Sequence, residues 1–513
     1  MKNGTSKGEI KRGIPRRELK APFRIDRQSL NRILILLVFG LAASLSIQAV
    51  PDIESLTGGF LIASVLLFIL YRDIVRYKPL YMNKFSMLLL LGLMLVGTLL
   101  MGRMFTYLLS GLSKGIGLIS IEGAVFGMPL PAGAMLVTLL FDFHTAIIFS
   151  FIISILTGLW LHDSAFTIFV IVGSLVGAFS VIRCKKRSAI ILAGFYVIAA
   201  NIFMVIIISL FSGTLFSDRT SSALLFAAFG GLSVSVMVSL LLPFLEYSFT
   251  VTTDISLLEL LDLNQPLMRN LMIAAPGTYH HSIIVGNLAE AAAEAAGVNP
   301  LLARVSAFYH DIGKIKMPDY FVENYRGPAS KHDSLTPHMS SMIIVNHVKE
   351  GVEIARQHKL PQPVIDIIQQ HHGTSLITYF YQKAKDQETN RQTDEAEYQY
   401  PGPKPQSRVA ALVMMADEVE AASRVLSEPT PARISSLVNR IVNRIFLEGQ
   451  LDECQLTLKD IHEVKRCFNY ILTGIFHRRI DYPGFDFSTD ESLHNKPPKP
   501  NKNKPAEDKK APN

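Results

Sequence analysis

Hydrophobic and polar residues occur in long blocks along the first half of the chain. From residue 33 to about residue 249, apolar stretches are separated by short polar connections. Each stretch approaches the ~20 residues that a membrane-spanning helix needs, and the pattern predicts about eight such helices. Their approximate bounds are residues 33–50, 56–71, 85–109, 118–140, 145–161, 165–182, 189–211 and 222–245.

The second half of the chain has a different pattern. After residue 250 the sequence is charged and rich in helix-forming residues, and no alternating strand pattern appears before Pro483. The polar stretch 383–406 is expected to be a loop, because proline and glycine crowd its end. Helices are predicted at residues 257–273, 280–296, 300–312, 337–357, 361–372, 406–426 and 458–473.

The two patterns together predict the fold class and the domains. The fold class is all-α: a polytopic transmembrane helix bundle followed by an all-helical domain. We expect a basic N-terminal segment at residues 1–32, a transmembrane region at 33–249, a soluble domain at 250–485 and a tail at 486–513. The tail is rich in Lys, Asn, Pro and Asp, a composition typical of disorder.

Composition supports a bilayer-embedded portion. Hydrophobic residues make up 49% of the 513 residues and charged residues only 18%, which is too apolar for an ordinary soluble protein of this length. The net charge is +7, and much of it lies in the first 32 residues and at the ends of apolar stretches. Basic residues in such places set membrane topology, so no nucleic-acid polymer is expected as a partner. Cys184, Cys454 and Cys467 form no paired pattern, which argues against disulfides or a thiolate zinc site.

Lysine and arginine positions predict the orientation in the membrane. Basic residues are frequent in the N-terminal segment and in the second and sixth loops, whereas the odd-numbered loops carry few. Since cytoplasmic loops are enriched in Lys and Arg, both termini are predicted to be cytoplasmic. The first apolar stretch has no small-residue cleavage site near Val50 and is expected to be an anchor, not a signal peptide. Arg103, Glu122 and Asp142 lie near span ends, which disfavours a transporter.

A set of histidines and aspartates in the second half carries the candidate chemistry. His281 precedes Val285 and Leu288 at helical spacing, which places it on a buried stripe. Alone, each such residue is a packed histidine or a helix-end charge. Buried together without partners they would be costly, and metal ions are effective partners for imidazole and carboxylate. The set comprises His281, His310, Asp311, His347, His371, His372 and Asp417.

Four short segments give the chain a resemblance to a known family. His310-Asp311 is the doublet of the HD hydrolase superfamily. With the residues up to Lys314, and with segments 276–282, 371–374 and 401–405, it resembles the seven-transmembrane-receptor HD family of bacterial cyclic di-AMP phosphodiesterases. The similarity is expected to run from about the third span to beyond Arg424.

The resemblance implies a dinuclear metal centre. The ions would be iron or manganese, with zinc as the alternative, and Asp311 would bridge them. One site would be completed by His281, His310 and Asp417. The other site would be completed by His347, His371 and His372.

The resemblance also implies an activity and a location. The protein would hydrolyse cyclic di-AMP to linear pApA in second-messenger signalling, as a multi-pass protein of the bacterial inner membrane. Besides Asp311, Lys314 would act in catalysis by neutralising a phosphate oxygen, while a solvated lysine at a helix end is the plainer interpretation. Thr374 and Arg424 are weaker candidates for substrate contact. A homodimer is compatible with these expectations.

The chain departs from the family pattern in one place, and two other functions stay open. Members typically carry a large extracellular domain after the first span, whereas residues 51–55 alone join the first two spans here. Relatives that act on cyclic di-GMP carry Gly-Tyr-Pro after the paired histidines, where this chain has Gly373-Thr374-Ser375. One alternative is an HD phosphohydrolase for another nucleotide. The other is a nucleotide-sensing membrane module without catalysis.

Overall fold

The structure, a computed structural model, describes residues 27–48, 52–77, 85–116, 121–325, 330–387 and 394–476. In these ranges the chain forms α-helices and short 3₁₀ helices, and the one β feature is an isolated bridge between Leu376 and Gln399. The all-α prediction is confirmed. The predicted tail at 486–513 and most of the basic segment at 1–32 lie outside the described residues.

Each predicted span coincides with helical structure. The segments are α1 (Arg27–Ile47), α2 (Ile53–Tyr77), α3 (Phe85–Ile116), a 3₁₀ helix (Ile121–Gly127) followed by α4 (Pro131–Leu140), α5 (Phe143–Leu161), α6 (Ser164–Ser180), α7 (Ser188–Phe211) and α8 (Asp218–Phe249). Among the described residues, 7 stretches are long and apolar enough to cross a membrane, and α6 is a shorter apolar helix of 17 residues. The protein is a multi-pass membrane protein.

The bundle exposes large apolar side chains and packs small residues inside. Phe203 is 62% exposed and Leu232 is 50% exposed, as side chains in contact with lipid are. Inside, a Cβ at Gly230 would lie 2.9 Å from the carbonyl carbon of Gly127, a distance that leaves no room for a side chain. Small residues allow such close approach of helices in a membrane.

The second half of the chain begins directly after α8. Its helices are α9 (Asp254–Leu260), α10 (Pro266–Ala274), α11 (Pro276–Ala296), α12 (Pro300–Tyr309), α13 (Pro337–Gln357), α14 (Gln362–Gln370), α15 (Thr378–Gln387), α16 (Arg408–Ser423), α17 (Pro431–Leu447) and α18 (Leu458–Ile475). Short 3₁₀ helices connect α12 to α13, among them Ile312–Lys316 and Val322–Asn324.

Some helix predictions for this half are wrong in detail. The single helix expected at 257–273 is two helices, because Pro266 has no N–H to continue the first and starts the second. The loop expected at 383–406 is helical at its start, where α15 continues to Gln387. Helix α17 was not predicted, although the Thr430 side chain caps its first turn.

The soluble helices enclose two large apolar cores, and helices from both carry the residues of interest. One core is built mainly from α11, α16, α17 and α18. The other is built mainly from α10, α12, α13 and α14. Next to the membrane bundle, the Arg187 Nε is 2.7 Å from Glu259 Oε1 in α9, and Arg187 Nη2 is 3.7 Å from Glu246 Oε2 in α8. The contact between Arg187 and Glu259 links the two halves of the protein.

Candidate metal centre

The histidines and aspartates singled out in the sequence come from separate helices or from their ends. They are His281 in α11, His310 and Asp311 after α12, His347 in α13, His371 and His372 after α14, and Asp417 in α16. All are buried except His372, which is partly exposed. Residues far apart in the sequence therefore meet in the interior of the soluble half.

Two glycines allow the backbone contacts that position these residues. A Cβ at Gly313 would lie 1.8 Å from the backbone oxygen of His347, so only glycine fits where the doublet packs on α13. A Cβ at Gly277 would lie 1.9 Å from the backbone oxygen of Glu323. There the Asn324 side chain accepts a hydrogen bond from the Gly277 N–H at 2.9 Å, which caps α11 four residues before His281.

The candidate ligand atoms form two groups, each with its atoms within 4.8 Å of one another. The groups are His281, His310 and Asp417, and Asp311, His347, His371 and His372. Asp311 faces both. Its Oδ2 is 3.3 Å from His310 Nε2, and its Oδ1 is 3.3 Å from His347 Nε2. Asp311 belongs to the second group and also lies close to the first; that it bridges two ions, and metal ligation itself, stay predictions.

Ring orientation brings imidazole nitrogens to the cluster. The Nδ1–H groups of three histidines donate to the backbone carbonyl three residues earlier: His310 to Ala307, His347 to Ile344 and His371 to Ile368. These bonds leave the Nε2 atoms facing Asp311, at 3.3 to 3.7 Å. A neutral imidazole with Nδ1 protonated offers its Nε2 lone pair to a cation.

Burial and neighbouring charges set the protonation of these groups. Burial would raise the pKa of Asp311, but the Lys314 ammonium and other cations outweigh it and hold that pKa well below its usual range. Burial is likewise outweighed at Asp417, where hydrogen bonds from neighbouring histidines keep the pKa low. Burial lowers the pKa of His371 and lowers that of His372 further. The carboxylates are therefore anionic and these two imidazoles neutral, which are the forms that bind a metal ion.

The charge and hydrogen bonding of His310 and Asp311 indicate whether a metal ion would fit among the candidate ligands. Burial lowers the pKa of His310, yet Asp311 and Asp417 outweigh it and raise that pKa to about 10, so the surroundings favour a positive charge. Nevertheless His310 Nε2 and Asp311 Oδ1 are buried and make no hydrogen bond to any described residue. Buried polar atoms without a partner are rare in proteins. The donors and their charges fit a divalent cation.

A cavity of about 500 Å³ opens onto the cluster. It is lined by cluster residues and, among others, by Lys314, Phe321, Tyr400 and Arg424. A volume of this order is typical of small-molecule sites. The cavity gives a substrate access to the candidate metal ligands.

Lys314 lies between two carboxylates. Its Nζ is 2.7 Å from Asp311 Oδ2 and 2.8 Å from Glu323 Oε1, and it is 4.9 Å from the centre of the Phe321 ring. The lysine therefore holds Asp311 in place and compensates its charge. Its predicted contact with a phosphate oxygen stays a prediction.

The two weaker substrate candidates differ in position. Arg424 lines the cavity and is 39% exposed, with one edge bound to Glu420. Thr374 is not among the cavity-lining residues, and its backbone N–H donates to Gln450 Oε1 at 3.0 Å. Its hydroxyl accepts a hydrogen bond from the Gln450 Nε2 at 3.0 Å. This geometry favours Arg424 over Thr374 as a substrate contact.

Sequence reasoning missed three residues of this region. Glu420 accepts a hydrogen bond from His281, and Glu323 binds Lys314. The ring of Tyr400 stacks on His372 with ring centres 4.3 Å apart. Glu420 lies three residues after Asp417 in the same helix, a spacing that places both on one face and is the one sequence signal available.

Comparison with known proteins gives the family. Residues 53–253 match the family described as 7TM receptor with intracellular HD hydrolase, and residues 278–422 match the HD domain family. The first match begins in α2, earlier than the third span expected from the sequence. The histidine and aspartate cluster lies within the second match.

Individual relatives cover part of the chain. This chain is 40% identical over 364 residues to the cyclic-di-AMP phosphodiesterase PgpH of Bacillus subtilis (strain 168). The aligned residues make up 69% of this chain and 51% of that protein. It is 42% identical over 371 residues to the protein of the same name from Listeria monocytogenes serotype 1/2a (strain 10403S), with 71% and 51% covered. The chain thus spans about half the length of these curated relatives.

A solved structure matches the soluble half. It is the crystal structure of the L. monocytogenes phosphodiesterase PgpH HD domain in complex with cyclic-di-AMP, at 49% sequence identity and a TM-score of 0.40. The match covers 42% of this chain and 100% of that chain. With the family matches in the expected order, membrane helices first and HD domain second, this chain belongs to the family of 7TM receptors with an intracellular HD hydrolase.

Proposed function

We propose that this protein is a membrane-anchored, metal-dependent phosphodiesterase that hydrolyses cyclic di-AMP to linear pApA. The observation that carries the proposal is Asp311, whose two oxygens face two groups of buried candidate ligands. Donors arranged on both sides of one carboxylate suit a pair of divalent ions and phosphoester hydrolysis. We propose iron or manganese, with zinc as the alternative; imidazole and carboxylate donors without thiolate suit all three metals.

The residues of the chain divide the work. One ion would be held by His281, His310 and Asp417, and the other by the remaining three histidines. Asp311 would bind both ions. When bound, two such ions lower the pKa of a water molecule and stabilise the charge on the phosphate. Lys314 keeps Asp311 ionised and in place, and Arg424 at the cavity wall would bind a phosphate oxygen of the substrate.

Two observations support cyclic di-AMP as the substrate. The two relatives at 40% and 42% identity are named cyclic-di-AMP phosphodiesterases. The sequence after the paired histidines is Gly373-Thr374-Ser375, which lacks the Gly-Tyr-Pro of relatives that act on cyclic di-GMP. The candidate ligands of one chain supply both groups, so the proposed site does not require a second copy, and a homodimer is compatible with it.

We also propose that both termini lie in the cytoplasm and that the membrane is the bacterial inner membrane. The soluble helices follow α8 directly, so they share the side of the membrane that α8 ends on. Basic residues concentrate in the N-terminal segment and in the second and sixth loops, the sixth being the one that carries Arg187. This orientation gives the cavity access to a cytoplasmic dinucleotide.

A hydrolysis assay on the full chain in detergent tests the proposal. With Mn²⁺ present we expect cyclic di-AMP to be converted to pApA, a chelator to stop the reaction, and added Mn²⁺ to restore it. Asp311→Asn should abolish turnover. The matched control is Asp319→Asn, which removes a 59% exposed carboxylate paired with Lys331 and should leave turnover unchanged.

The same assay separates the alternatives. Faster turnover of cyclic di-GMP or another nucleotide would keep the metal-dependent hydrolase and replace the substrate. Nucleotide binding without turnover in Mn²⁺, Fe²⁺ and Zn²⁺ would instead establish a sensing module. Activity that survives complete metal removal would contradict the proposed centre itself.

A further inference from the structure

One histidine of the cluster has a different kind of hydrogen-bond acceptor at its Nδ1–H group from three others. The Nδ1–H groups of His310, His347 and His371 donate to backbone carbonyls within their own helical turns. The Nδ1–H of His281 donates instead to the side-chain carboxylate of Glu420, at 2.5 Å and 139 residues away in the chain. A backbone carbonyl is fixed by the helix, whereas a carboxylate adds a full negative charge to the hydrogen bond.

Both carboxylate oxygens of Glu420 accept hydrogen bonds from other side chains. Its side chain is 2% exposed, and its Oε2 accepts the hydrogen bond from His281. Its other oxygen, Oε1, accepts hydrogen bonds from Arg424 Nε at 2.7 Å and Arg424 Nη2 at 2.6 Å. A buried carboxylate is costly unless both its charge and its lone pairs are matched. Here Arg424 matches the charge and His281 takes the remaining oxygen.

We propose that Glu420 is a positioning residue of the metal centre, which fixes the His281 tautomer and strengthens its Nε2 as a donor to the cation shared with His310 and Asp417. The proposal rests on the proposed metal centre but not on the identity of the substrate. With the Nδ1 proton held by Glu420, the His281 Nε2 faces the cluster, 2.9 Å from Asp417 Oδ1. Hydrogen bonding of a ligand histidine to a carboxylate raises its basicity and fixes its ring.

The geometry makes the effect specific to one group of ligands. Glu420 touches His281 and has no hydrogen bond or ion pair to His347, His371 or His372 among the described contacts. Those histidines belong to the other group, where backbone carbonyls accept from His347 and His371 and the Tyr400 ring stacks on His372. Loss of Glu420 should therefore weaken one of two metal-binding steps and spare the other.

A metal titration of the full chain in detergent tests this without any substrate. Mn²⁺ alone is added to metal-free protein, and free Mn²⁺ is counted by electron paramagnetic resonance. His281→Asn identifies the step that belongs to the His281 group. Glu420→Gln, which keeps the side-chain shape and removes the charge, should weaken that same step about 10- to 100-fold, as is typical for loss of an outer-shell partner. The other step should stay within about twofold of the wild-type value.

Two variants guard the interpretation. Glu290→Gln removes a carboxylate from the same helix as His281, where it pairs with Arg304 at 2.8 Å, and should change neither step. Glu420→Asp keeps the charge but shortens the side chain, so it should weaken the His281 step less than Glu420→Gln, and it replaces that variant if Glu420→Gln does not fold. Equal weakening of both steps, or of neither, overturns the proposal. Failure to hydrolyse cyclic di-AMP would leave the result of this titration standing.

Discussion

The two halves of the protein each have an arrangement that would be unfavourable in water alone. The membrane half exposes large apolar side chains, and the soluble half buries ionisable ones. In the membrane half, Phe211 is 94% exposed and Leu240 is 67% exposed. In the soluble half, His310 is 0% exposed and Asp311 is 1% exposed. Apolar side chains on the outside and ionisable side chains on the inside both cost free energy in water.

The comparison indicates which surroundings would suit each half. Lipid removes the cost of the exposed apolar side chains, because hydrocarbon is as apolar as they are. Divalent cations would remove the cost of the buried carboxylates and orient the imidazoles around them. We therefore expect each half to depend on a partner outside the polypeptide, a bilayer in one and metal ions in the other, and the predictions below test each dependence.

The largest expected effect is that of Asp311→Ala. Asp311 is the residue that faces both ligand groups, so its loss should lower the rate of hydrolysis by more than the roughly 100-fold that loss of an outer-shell partner can cost. The protein should also retain less metal on gel filtration. The measurement is turnover of cyclic di-AMP with parallel elemental analysis; normal turnover with two bound ions would break the comparison.

A pair of leucine substitutions sharpens the membrane side of the comparison. Leu232 is 50% exposed in the middle of α8. Leu232→Arg should make membrane insertion of this helix less favourable by about 2.5–3.5 kcal/mol, the cost of a charge in the bilayer. Leu447→Arg, at an 81% exposed position in the soluble half, should change stability by less than ~0.5 kcal/mol. The fraction of protein that stays in membranes after alkaline extraction measures the difference. Equal recovery of the two variants would place Leu232 away from lipid.

Arg424→Ala tests whether the arginine that lines the cavity and binds Glu420 also contacts the substrate. If Arg424 binds a phosphate oxygen, its loss should raise the KM for cyclic di-AMP about tenfold, or about 1.4 kcal/mol. At saturating Mn²⁺ the kcat should change less. Arg433→Ala is the matched control, since Arg433 pairs with Glu428 at 2.9 Å on the surface and does not line the cavity. An unchanged KM would remove Arg424 from the substrate site.

The smallest expected effect is a pH dependence of the metal-free protein. Burial lowers the folded-state pKa of His371 and His372, so below about 6.5 the unfolded chain binds more protons and stability falls as the pH drops. The folded-state pKa of His310 is raised to about 10, so its contribution is present below about 6.5 and is lost as the pH rises towards 10. Melting temperatures of chelated protein should therefore be highest near pH 6.5. A steady rise or fall from pH 5 to 9 would contradict this.

The sequence predicts the elements that depend on local pattern. Apolar stretches of sufficient length mark the membrane helices, and the segments around His310 and Asp311 identify the HD family, because both signals lie in contiguous residues. Family resemblance also gave the candidate ligands, which the fold brings into two groups. Helix α17 was missed although its contiguous sequence carries the signal, since Ile434, Leu437 and Ile441 recur at helical spacing and form its buried face.

Contacts between distant segments could not be predicted. Glu420 binds His281 across 139 residues, and Gln450 binds Thr374 across 76 residues. Neither a glutamate within a helix nor a glutamine in the turn after one indicates such a partner. The contact with Gln450 is also why Thr374, a plausible substrate contact by its position after the histidines, faces another part of the fold.

Anomalous diffraction from a crystal of the protein soaked in Mn²⁺ tests the central claim most directly, because it locates the ions themselves. The account predicts two peaks about 3.5–4 Å apart with Asp311 between them. One peak should touch His281, His310 and Asp417, and the other His347, His371 and His372. No peak at the cluster, or a single peak that leaves one group without an ion, would contradict the account.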